Sequence, residues 1–284
     1  MIRLSTSLDI ASKALLGLVT LTVFSSYGII VRHDVGQSEY ETRGTDYPSI
    51  FFLDRQGSRK VCVATLIHPQ WALTAAHCAE ETMLDATVEV ERRFGVRLAG
   101  ENREIDLVIK HPNYQPGAAD DVDLALLRFR TPSTFPSPMP LNLETDELDQ
   151  IVTIVGWGYF GVGTLGRQYD DGRMRHATNR ISRADRYLRF VFDDPRDQSA
   201  ESLPTEGTLG LGDSGGPALM ATNSGPRLVG IAVGQITGPN YEEETQGRYG
   251  AVAIYERLSS HIEWIETVVG SKAPFDSSTQ YGKY

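Results

Sequence analysis

The chain has 284 residues, of which 40% are hydrophobic and 23% are charged, and its formal net charge is −10. This composition is typical of a globular protein, and the length allows one large core or two smaller ones. Recognition of phosphate groups needs a basic surface, so the acidic balance argues against a nucleic-acid-binding protein.

The N-terminal segment has the pattern of an export signal. Basic residues flank a short polar region, an apolar stretch follows at 14–24, and Ser26 and Gly28 offer small residues to a signal peptidase. We therefore predict that residues 1–28 are removed and that the mature protein is secreted or periplasmic. The alternative is an uncleaved anchor over 14–31, although threonine, serine and glycine interrupt that stretch. Since no other segment could span a membrane, no membrane association is expected after cleavage.

Beyond this segment, short runs suited to β-strands alternate with clusters of Gly, Pro, Asn and Asp. The predicted strands lie at 49–53, 61–67, 86–94, 103–110, 123–129, 150–158, 187–192, 227–234 and 248–255. A Pro-rich stretch at 131–143 divides them into two groups and is predicted to be an extended linker. The pattern indicates an all-β fold with two similar antiparallel halves, built as barrels or sandwiches.

One helix is predicted near the C-terminus. Apolar residues recur there at helical spacing: Leu258, Ile262, Ile265 and Val269. Gly270 follows as a stop signal, and residues 271–284 are predicted to be a loose tail.

Cys62 and Cys78 are the two cysteines of the sequence. Two cysteines in an exported chain suggest one disulfide, which would stabilise the fold by about 3 kcal/mol. His77 lies beside the second cysteine, so a zinc site is the alternative. No further CxxC or HxxxH spacing supports it, and no metal is expected.

Three short segments carry acid–base or nucleophilic groups. His77 lies in WALTAAHCAE at 71–80, Asp123 opens the apolar run DLALLRF, and Ser214 lies in GDSGGP at 212–217. Taken alone, the histidine fits a strand end, the aspartate a turn or a cap, and the serine a flexible glycine turn. Their joint occurrence points instead to nucleophilic catalysis.

These segments resemble the motifs of the chymotrypsin-like (trypsin-fold) serine peptidases. LTAAHC matches the histidine motif of that family, DLALL matches its aspartate motif, and GDSGGP matches its serine motif. The order His, Asp, Ser along the chain is also that of the family. HPNY at 111–114, GWG at 156–158 and the segment around Trp264 extend the resemblance over most of residues 29–270.

The resemblance implies a specific architecture. It predicts an all-β fold of two antiparallel six-stranded β-barrels packed together, with a C-terminal α-helix. The N-terminal barrel would cover about 29–140, and the C-terminal barrel with its helix about 141–270. Residues 271–284 would follow as a tail.

The resemblance also implies a catalytic role for each matching residue. Ser214 would be the nucleophile, His77 would take and return its proton, and Asp123 would orient and stabilise the imidazolium ring. The backbone N–H groups of Gly212 and Ser214 would form the oxyanion hole. No metal or cofactor is required by this chemistry.

Asp213 matches the family residue that pairs with a newly released α-amino group. Ile29 begins an apolar triplet directly after the predicted signal site, and Gly28 precedes it instead of a basic residue. We therefore predict that signal peptidase itself releases the activating N-terminus at Ile29, with Ile30 as the nearest alternative.

The match also has departures. The resemblance places a disulfide between Cys62 and Cys78, but Gly210 stands where the family has another cysteine, and CVATL at 62–66 replaces CGGSL. Few bridges suggest a bacterial-type member, or one stabilised in another way.

The primary specificity pocket is predicted from the same resemblance. Thr208, six residues before the nucleophile, stands at the pocket base where trypsin-type enzymes carry an aspartate. The walls are expected from Leu209, Val233, Gly234, Gln235 and Ala253. This neutral pocket favours an uncharged substrate residue. The acidic run 242–244 leaves a basic preference as the alternative.

The predicted function is that of a secreted serine endopeptidase, which hydrolyses peptide bonds through an acyl-enzyme intermediate. Protein or peptide substrates are the expected partners, with protein inhibitors as further candidates. Two alternatives stay open: a catalytically silent binding module of the same fold, and an esterase that uses the same site.

Overall fold

The computed structural model describes residues 28–55, 59–198, 200–236, 242 and 245–270. Residues 1–27 of the predicted signal segment, the tail 271–284 and two of the three residues of the acidic run 242–244 lie outside this part. Within the described part, no helix has the length and apolar character needed to span a membrane.

Strands dominate the described fold. Those of the first half are β1 (Ile30–Val31), β2 (Ile50–Arg55), β3 (Arg59–His68), β4 (Trp71–Thr74), β5 (Phe94–Leu98), β6 (Glu101–Lys110) and β7 (Ala125–Phe129). Those of the second half are β8 (Ile151–Gly156), β9 (Phe160–Val162), β10 (Gly166–Tyr169), β11 (Arg175–Ala184), β12 (Tyr187–Val191), β13 (Gly207–Thr208), β14 (Pro217–Thr222), β15 (Gly225–Gln235) and β16 (Val252–Arg257). The helices are α1 (Ala76–Glu81), α2 (Leu84–Glu89) and α3 (Ile262–Val269).

The strands form two six-stranded barrels. The first is nearly closed and has the order β2-β3-β4-β7-β6-β5, while the second is closed and has the order β11-β12-β16-β15-β14-β8. Neighbouring strands in both barrels are antiparallel. The two-barrel fold implied by the family resemblance is confirmed.

A small additional sheet ties the start of the described chain to the second barrel. Its order is β10-β9-β1-β13, and Ile30 pairs with Thr208 on one side and with Gly161 on the other. The β1–β9 pair is parallel. Ile29 therefore lies beside the segment that leads to the predicted pocket and nucleophile.

Residue alternation explains why these segments pair as strands with one buried face. In β11, buried and half-buried residues alternate from Arg175 to Ile181. Such a period of two sends one set of side chains into the barrel and the other toward the surface. The first barrel is filled in the same way by apolar residues, among them Leu53, Leu127 and Phe129.

The strand predicted at 86–94 is wrong. The chain instead forms α2 over Leu84–Glu89 and then starts β5 at Phe94. Leu84 is fully buried and Val88, four residues later, packs against the same core, which is the spacing of a helix face. The apolar residues of this short run fit the two-residue period of a strand as well as the 3.6-residue period of a helix. Burial of the helical face decides in favour of the helix.

The Pro-rich linker joins both barrels through backbone hydrogen bonds. Met139 N–H donates to Leu66 O in β3, and Leu228 N–H in β15 donates to Pro140 O. The predicted C-terminal helix is present as α3, which buries Ile265 and ends at Gly270 with a φ of 74°. The linker thus connects the two barrels, and α3 packs on the apolar core that residues of both barrels share.

Candidate active site

One cleft of about 350 Å³ lies where loops of the two barrels meet. His77, Asp123 and Ser214 all line it, although they are far apart in sequence. The first barrel contributes His77 at the start of α1 and Asp123 just before β7, while Ser214 precedes β14 in the second barrel. The fold therefore gathers the three predicted catalytic residues at one place.

Asp123 holds His77 by two hydrogen bonds. Its Oδ1 accepts the backbone N–H of His77 at 2.9 Å, and its Oδ2 lies 2.5 Å from the ring Nδ1. Asp123 is buried, whereas His77 is half-buried and faces the cleft. This contact fixes the ring with Nδ1 toward the carboxylate, which leaves Nε2 to exchange protons.

The electrostatic surroundings of His77 favour its protonated form. Burial lowers the pKa of the ring, but the hydrogen bond and charge of Asp123, together with nearby Glu81 and Glu80, outweigh it and raise the pKa. A base whose protonated form is stabilised accepts a proton more readily from a weakly acidic hydroxyl.

Ser214 is held by its backbone. Its carbonyl accepts the N–H of Val63 in β3 at 2.7 Å, and Gly215 N–H donates to Ala232 O at 2.8 Å. Among the described residues, no hydrogen bond joins Ser214 Oγ to His77 Nε2. Catalytic hydrogen bonds are often long in a free enzyme and tighten when substrate binds.

Two backbone donors flank Asp213. In the described part of the chain, the N–H groups of Gly212 and Ser214 donate to no protein acceptor, whereas Asp213 N–H donates to Gly210 O at 3.1 Å. Gly212 has a φ of 96°, in the left-handed region where a side chain would be strained. Two free N–H groups on either side of one residue can bind a developing oxyanion.

Asp213 itself is buried, with 1% of its surface exposed. Its carboxylate accepts the N–H groups of Gly158 at 2.6 Å and Gly210 at 2.8 Å, and the backbone of Ile29 also donates to it. Burial raises the pKa of Asp213 to about 7, against the lowering effect of these donors and of the Arg175 charge. The predicted partners Ile29 and Asp213 therefore lie together.

The GWG motif and Gly210 make room for this arrangement. A Cβ at Gly156 would collide with Oδ1 of Asp213, and one at Gly158 would lie 2.7 Å from the backbone N of Asp213. A Cβ at Gly210 would collide with the carbonyl oxygen of Tyr159. A cysteine therefore does not fit at Gly210 with this backbone.

The predicted disulfide between Cys62 and Cys78 is confirmed, with an S–S distance of 2.06 Å. It joins β3 to α1 and so fixes the helix that begins beside His77. Cys62, His77 and Cys78 place their ligand-type atoms within 4.8 Å of one another. Zinc binds the thiolate form of cysteine, which neither sulfur offers within a disulfide.

The predicted pocket residues divide into two groups. Leu209, Val233 and Gly234 line the cleft beside Ser214. Thr208, Gln235 and Ala253 do not line it. Thr208 and Ala253 are fully buried.

The side chain of Gln235 accounts for this division. Its Nε2 donates to Leu209 O at 2.9 Å and to Thr208 Oγ1 at 3.3 Å, and its Oε1 accepts Gly247 N–H at 3.2 Å. Gln235 lines a second cavity of about 340 Å³ together with the exposed Glu242. Gln235 thus contacts Leu209 of the cleft and shares the second cavity with Glu242, the residue of the acidic run that the structure describes.

Sequence reasoning missed several residues of the cleft. Glu81, Tyr114 and Asp121 line it beside His77. The loop carrying Asp121 is held from the second barrel, because Arg186 donates to the carbonyl oxygens of Ala119 and Asp121. Glu81 ends α1, Tyr114 belongs to the HPNY match, and Asp121 lies in the loop before β7. Nothing in the sequence indicated that these three residues meet at one cleft, so only the fold reveals it.

Comparison with known proteins agrees with this geometry. The Trypsin family profile matches residues 35–265. Vitamin K-dependent protein C of Mus musculus is 30% identical over 263 residues, covering 81% of this chain and 51% of that protein. Serine protease SSP1 of Scolopendra subspinipes is 28% identical over 227 residues, covering 72% of each. Transmembrane protease serine 9 of Rattus norvegicus is 30% identical over 257 residues, covering 80% of this chain and 22% of that protein.

The relatives also bear on the expected subgroup. They are animal proteins, so the expectation of a bacterial-type member gains no support. The chain spans about half the length of the protein C relatives.

Proposed function

The chain belongs to the Trypsin family of serine proteases, and on this basis we propose that it is a secreted endopeptidase with the catalytic triad Ser214, His77 and Asp123. The observation that carries the proposal is the double hydrogen bond from His77 to Asp123, in the same cleft as Ser214. A carboxylate that binds both the backbone and the ring of a histidine restricts the rotation of that ring. We propose that Nε2 is thereby directed toward the serine.

The proposed reaction follows from these positions. Ser214 Oγ attacks the carbonyl carbon of the substrate peptide bond while His77 Nε2 takes the hydroxyl proton. The N–H groups of Gly212 and Ser214 stabilise the oxyanion, and Asp123 stabilises the imidazolium. His77 then gives its proton to the leaving amine, which leaves an acyl-enzyme. Water, deprotonated by His77, hydrolyses the ester and restores Ser214.

We propose that release of a free amino group at Ile29 completes the site. The Ile29 backbone already lies at the Asp213 carboxylate, where an α-ammonium would supply the positive charge that this buried acid needs. Cleavage after Gly28 by signal peptidase fits this position. N-terminal sequencing of the protein recovered from the medium tests it. An active enzyme that starts at Ile30 or elsewhere contradicts it.

Gln235 suggests the substrate preference. Its Nε2 donates to Leu209 O and to Thr208 Oγ1, so its side chain lies against the residue predicted at the pocket base. We propose that the residue before the cleaved bond has a small uncharged side chain. Profiling with a peptide library tests this, and predominant cleavage after Arg or Lys would contradict it.

A fluorophosphonate probe tests the catalytic proposal. The wild-type protein should be labelled, Ser214→Ala should not, and Ser224→Ala, an exposed serine in the β14–β15 turn, should be labelled as wild type is. An unlabelled wild type would favour the silent binding module. Parallel ester and peptide substrates separate the endopeptidase from the esterase, since an esterase would cleave only the former.

A further inference from the structure

A second carboxylate lies buried directly behind Asp123. Glu256, in β16, has 1% of its surface exposed, and its Oε1 accepts the backbone N–H of Asp123 at 2.9 Å. This hydrogen bond crosses from the second barrel to the first. The catalytic carboxylate is therefore positioned by an acid whose role the triad does not explain.

The other oxygen of Glu256 has an unusual environment. Oε2 is buried and has no hydrogen-bond partner among the described residues. His261 Nε2 lies 3.6 Å away, and the His261 side chain is 13% exposed. A buried carboxylate without a full set of donors is costly unless a positive charge lies nearby. His261 is a basic residue within ion-pair distance of this oxygen.

Other titratable groups lie close to Glu256 and His261. On one side, the His111 ring packs against the His261 ring at 5.1 Å, and burial together with His261 lowers the pKa of His111. On the other side, Tyr187 lies opposite Glu256 across the β12–β16 pair. Burial raises the pKa of Tyr187, and the Glu256 charge adds to this effect.

Three further charges complete the surroundings of Tyr187. The negative charges of Asp121 and Asp123 raise its pKa, and the positive charge of Arg186 lowers it. Negative charges thus predominate around Tyr187, and the His111 and His261 rings pack against each other beside Glu256.

We propose that Glu256 is a positioning residue for Asp123 and that His261 balances its charge. The hydrogen bond fixes the backbone from which the Asp123 carboxylate reaches His77, and the negative charge behind it favours the imidazolium formed during the reaction. The inference rests on the proposed function, because it concerns the same site.

Glu147 offers a matched comparison. It is also fully buried, but both of its oxygens are partnered, by Arg257 and by Ser259. Glu147 is not among the residues that line the cleft. Neutralising Glu147 therefore measures what the loss of a buried carboxylate does to the fold alone.

The experiment measures the second-order rate constant of inactivation by a fluorophosphonate as a function of pH. This readout does not depend on substrate preference. The rate rises with pH as His77 loses its proton, so the position of that acid limb reports the His77 pKa. The variants are Glu256→Gln, His261→Gln and the control Glu147→Gln, each checked for folding by thermal melting.

The two test variants should shift the acid limb in opposite directions. Glu256→Gln removes the negative charge, while its amide oxygen can still accept the Asp123 N–H. The limb should therefore move about half a pH unit lower and the plateau rate should fall about tenfold, and both changes report the charge. His261→Gln leaves the Glu256 charge unbalanced, so the limb should move to higher pH. Glu147→Gln should lower the melting temperature and leave the limb in place.

The inference is overturned if Glu256→Gln keeps the wild-type rate and limb, or if Glu147→Gln shifts them equally. If Glu256→Gln does not fold, the direction of the His261→Gln shift decides: a shift to lower pH, or none, overturns it. Failure of the proposed function has a different signature, because the wild-type protein would then take up no probe at Ser214.

Discussion

The two barrels share a strand plan but differ in what they bury. In the described part of the first barrel and its loops, the buried polar residues are mostly hydroxyls: Ser49, Thr65, Thr74 and Thr82. Asp123 is the buried charge found there. Beyond the linker, the buried charged residues are Glu147, Arg175, Glu206, Asp213 and Glu256. The first barrel is thus an apolar core closed by a disulfide, and the second carries a set of buried ions.

This difference separates two tasks. An apolar core with a cross-link holds α1, and with it His77, in place without depending on pH. Buried charges cost free energy unless they are partnered, so the second barrel depends on its counter-charges. We therefore expect changes in the first barrel to act through position and stability, and changes in the second to act through charge and fit.

The largest effect should come from Asp123→Asn. An amide does not stabilise the imidazolium and favours the wrong tautomer of His77, so kcat/KM should fall by about 10⁴-fold at neutral pH. The matched control is Asp121→Asn, in the same cleft. Its kcat/KM should stay within about tenfold of wild type, and steady-state kinetics measure both. Equal losses in the two variants would show that the contact with His77 is not decisive.

The next effect concerns Asp213 in a chain that still continues through Gly28. Its pKa is raised from 3.8 to about 7, so the stability it contributes is complete below pH 3.8 and is lost as the pH rises to about 7. The amide introduced by Asp213→Asn does not titrate. The melting temperature of that variant minus that of the parent, both with Ser214→Ala, should therefore increase from pH 4 to pH 7.

The same comparison in a chain that starts at Ile29 is the control. There the α-ammonium partners the carboxylate, and the increase with pH should disappear. An increase of the same size in both chains would contradict a pairing between Ile29 and Asp213.

Removing the disulfide should have a smaller effect. Replacing Cys62 and Cys78 together by serine should lower the free energy of unfolding by about 3 kcal/mol and the melting temperature by about 9 °C. Reductant should lower the melting temperature of the wild type and leave that of the variant unchanged. A variant as stable as the wild type would show that the apolar core alone holds the first barrel.

The smallest effect should come from Gln235→Gly. Removing this side chain opens the way to Thr208, so the ratio of kcat/KM for cleavage after Phe to cleavage after Ala should rise about tenfold. The control is Gln246→Gly, because Gln246 lines the cleft itself and makes no described side-chain bond to Thr208. Chromogenic tetrapeptides measure the ratio. An unchanged ratio of the two kcat/KM values would show that Gln235 does not limit the size of the substrate residue.

Much of this molecule could be predicted from the sequence because the relevant signals are local. Alternating apolar residues predicted β3, β6, β8, β12 and β15 close to their observed positions. The motifs around His77, Asp123 and Ser214 singled out residues that the fold brings to one cleft. Gly210 was noticed as a departure from the family pattern, and a side chain there would collide with the carbonyl oxygen of Tyr159.

The rest depends on contacts between distant segments. The run at 86–94 fits a strand and a helix equally, and only the burial of Leu84 separates them. Gln235 was predicted as a wall residue, but its side chain bonds to Leu209 and Gly247 and does not line the cleft. Glu256 belongs to no motif of the sequence, and its partner Asp123 approaches it from the other barrel.

Arg186 has a consequence for engineering of the cleft. It lies between β11 and β12 of the second barrel, yet it holds the carbonyl groups of Ala119 and Asp121 in a loop of the first. The loop is thus anchored by a residue that is distant from it in sequence. A graft that replaces the loop 115–122 but not Arg186 would transfer the donor sequence without the contacts that fix its conformation. The residue that anchors the donor loop therefore has to be transferred together with that loop.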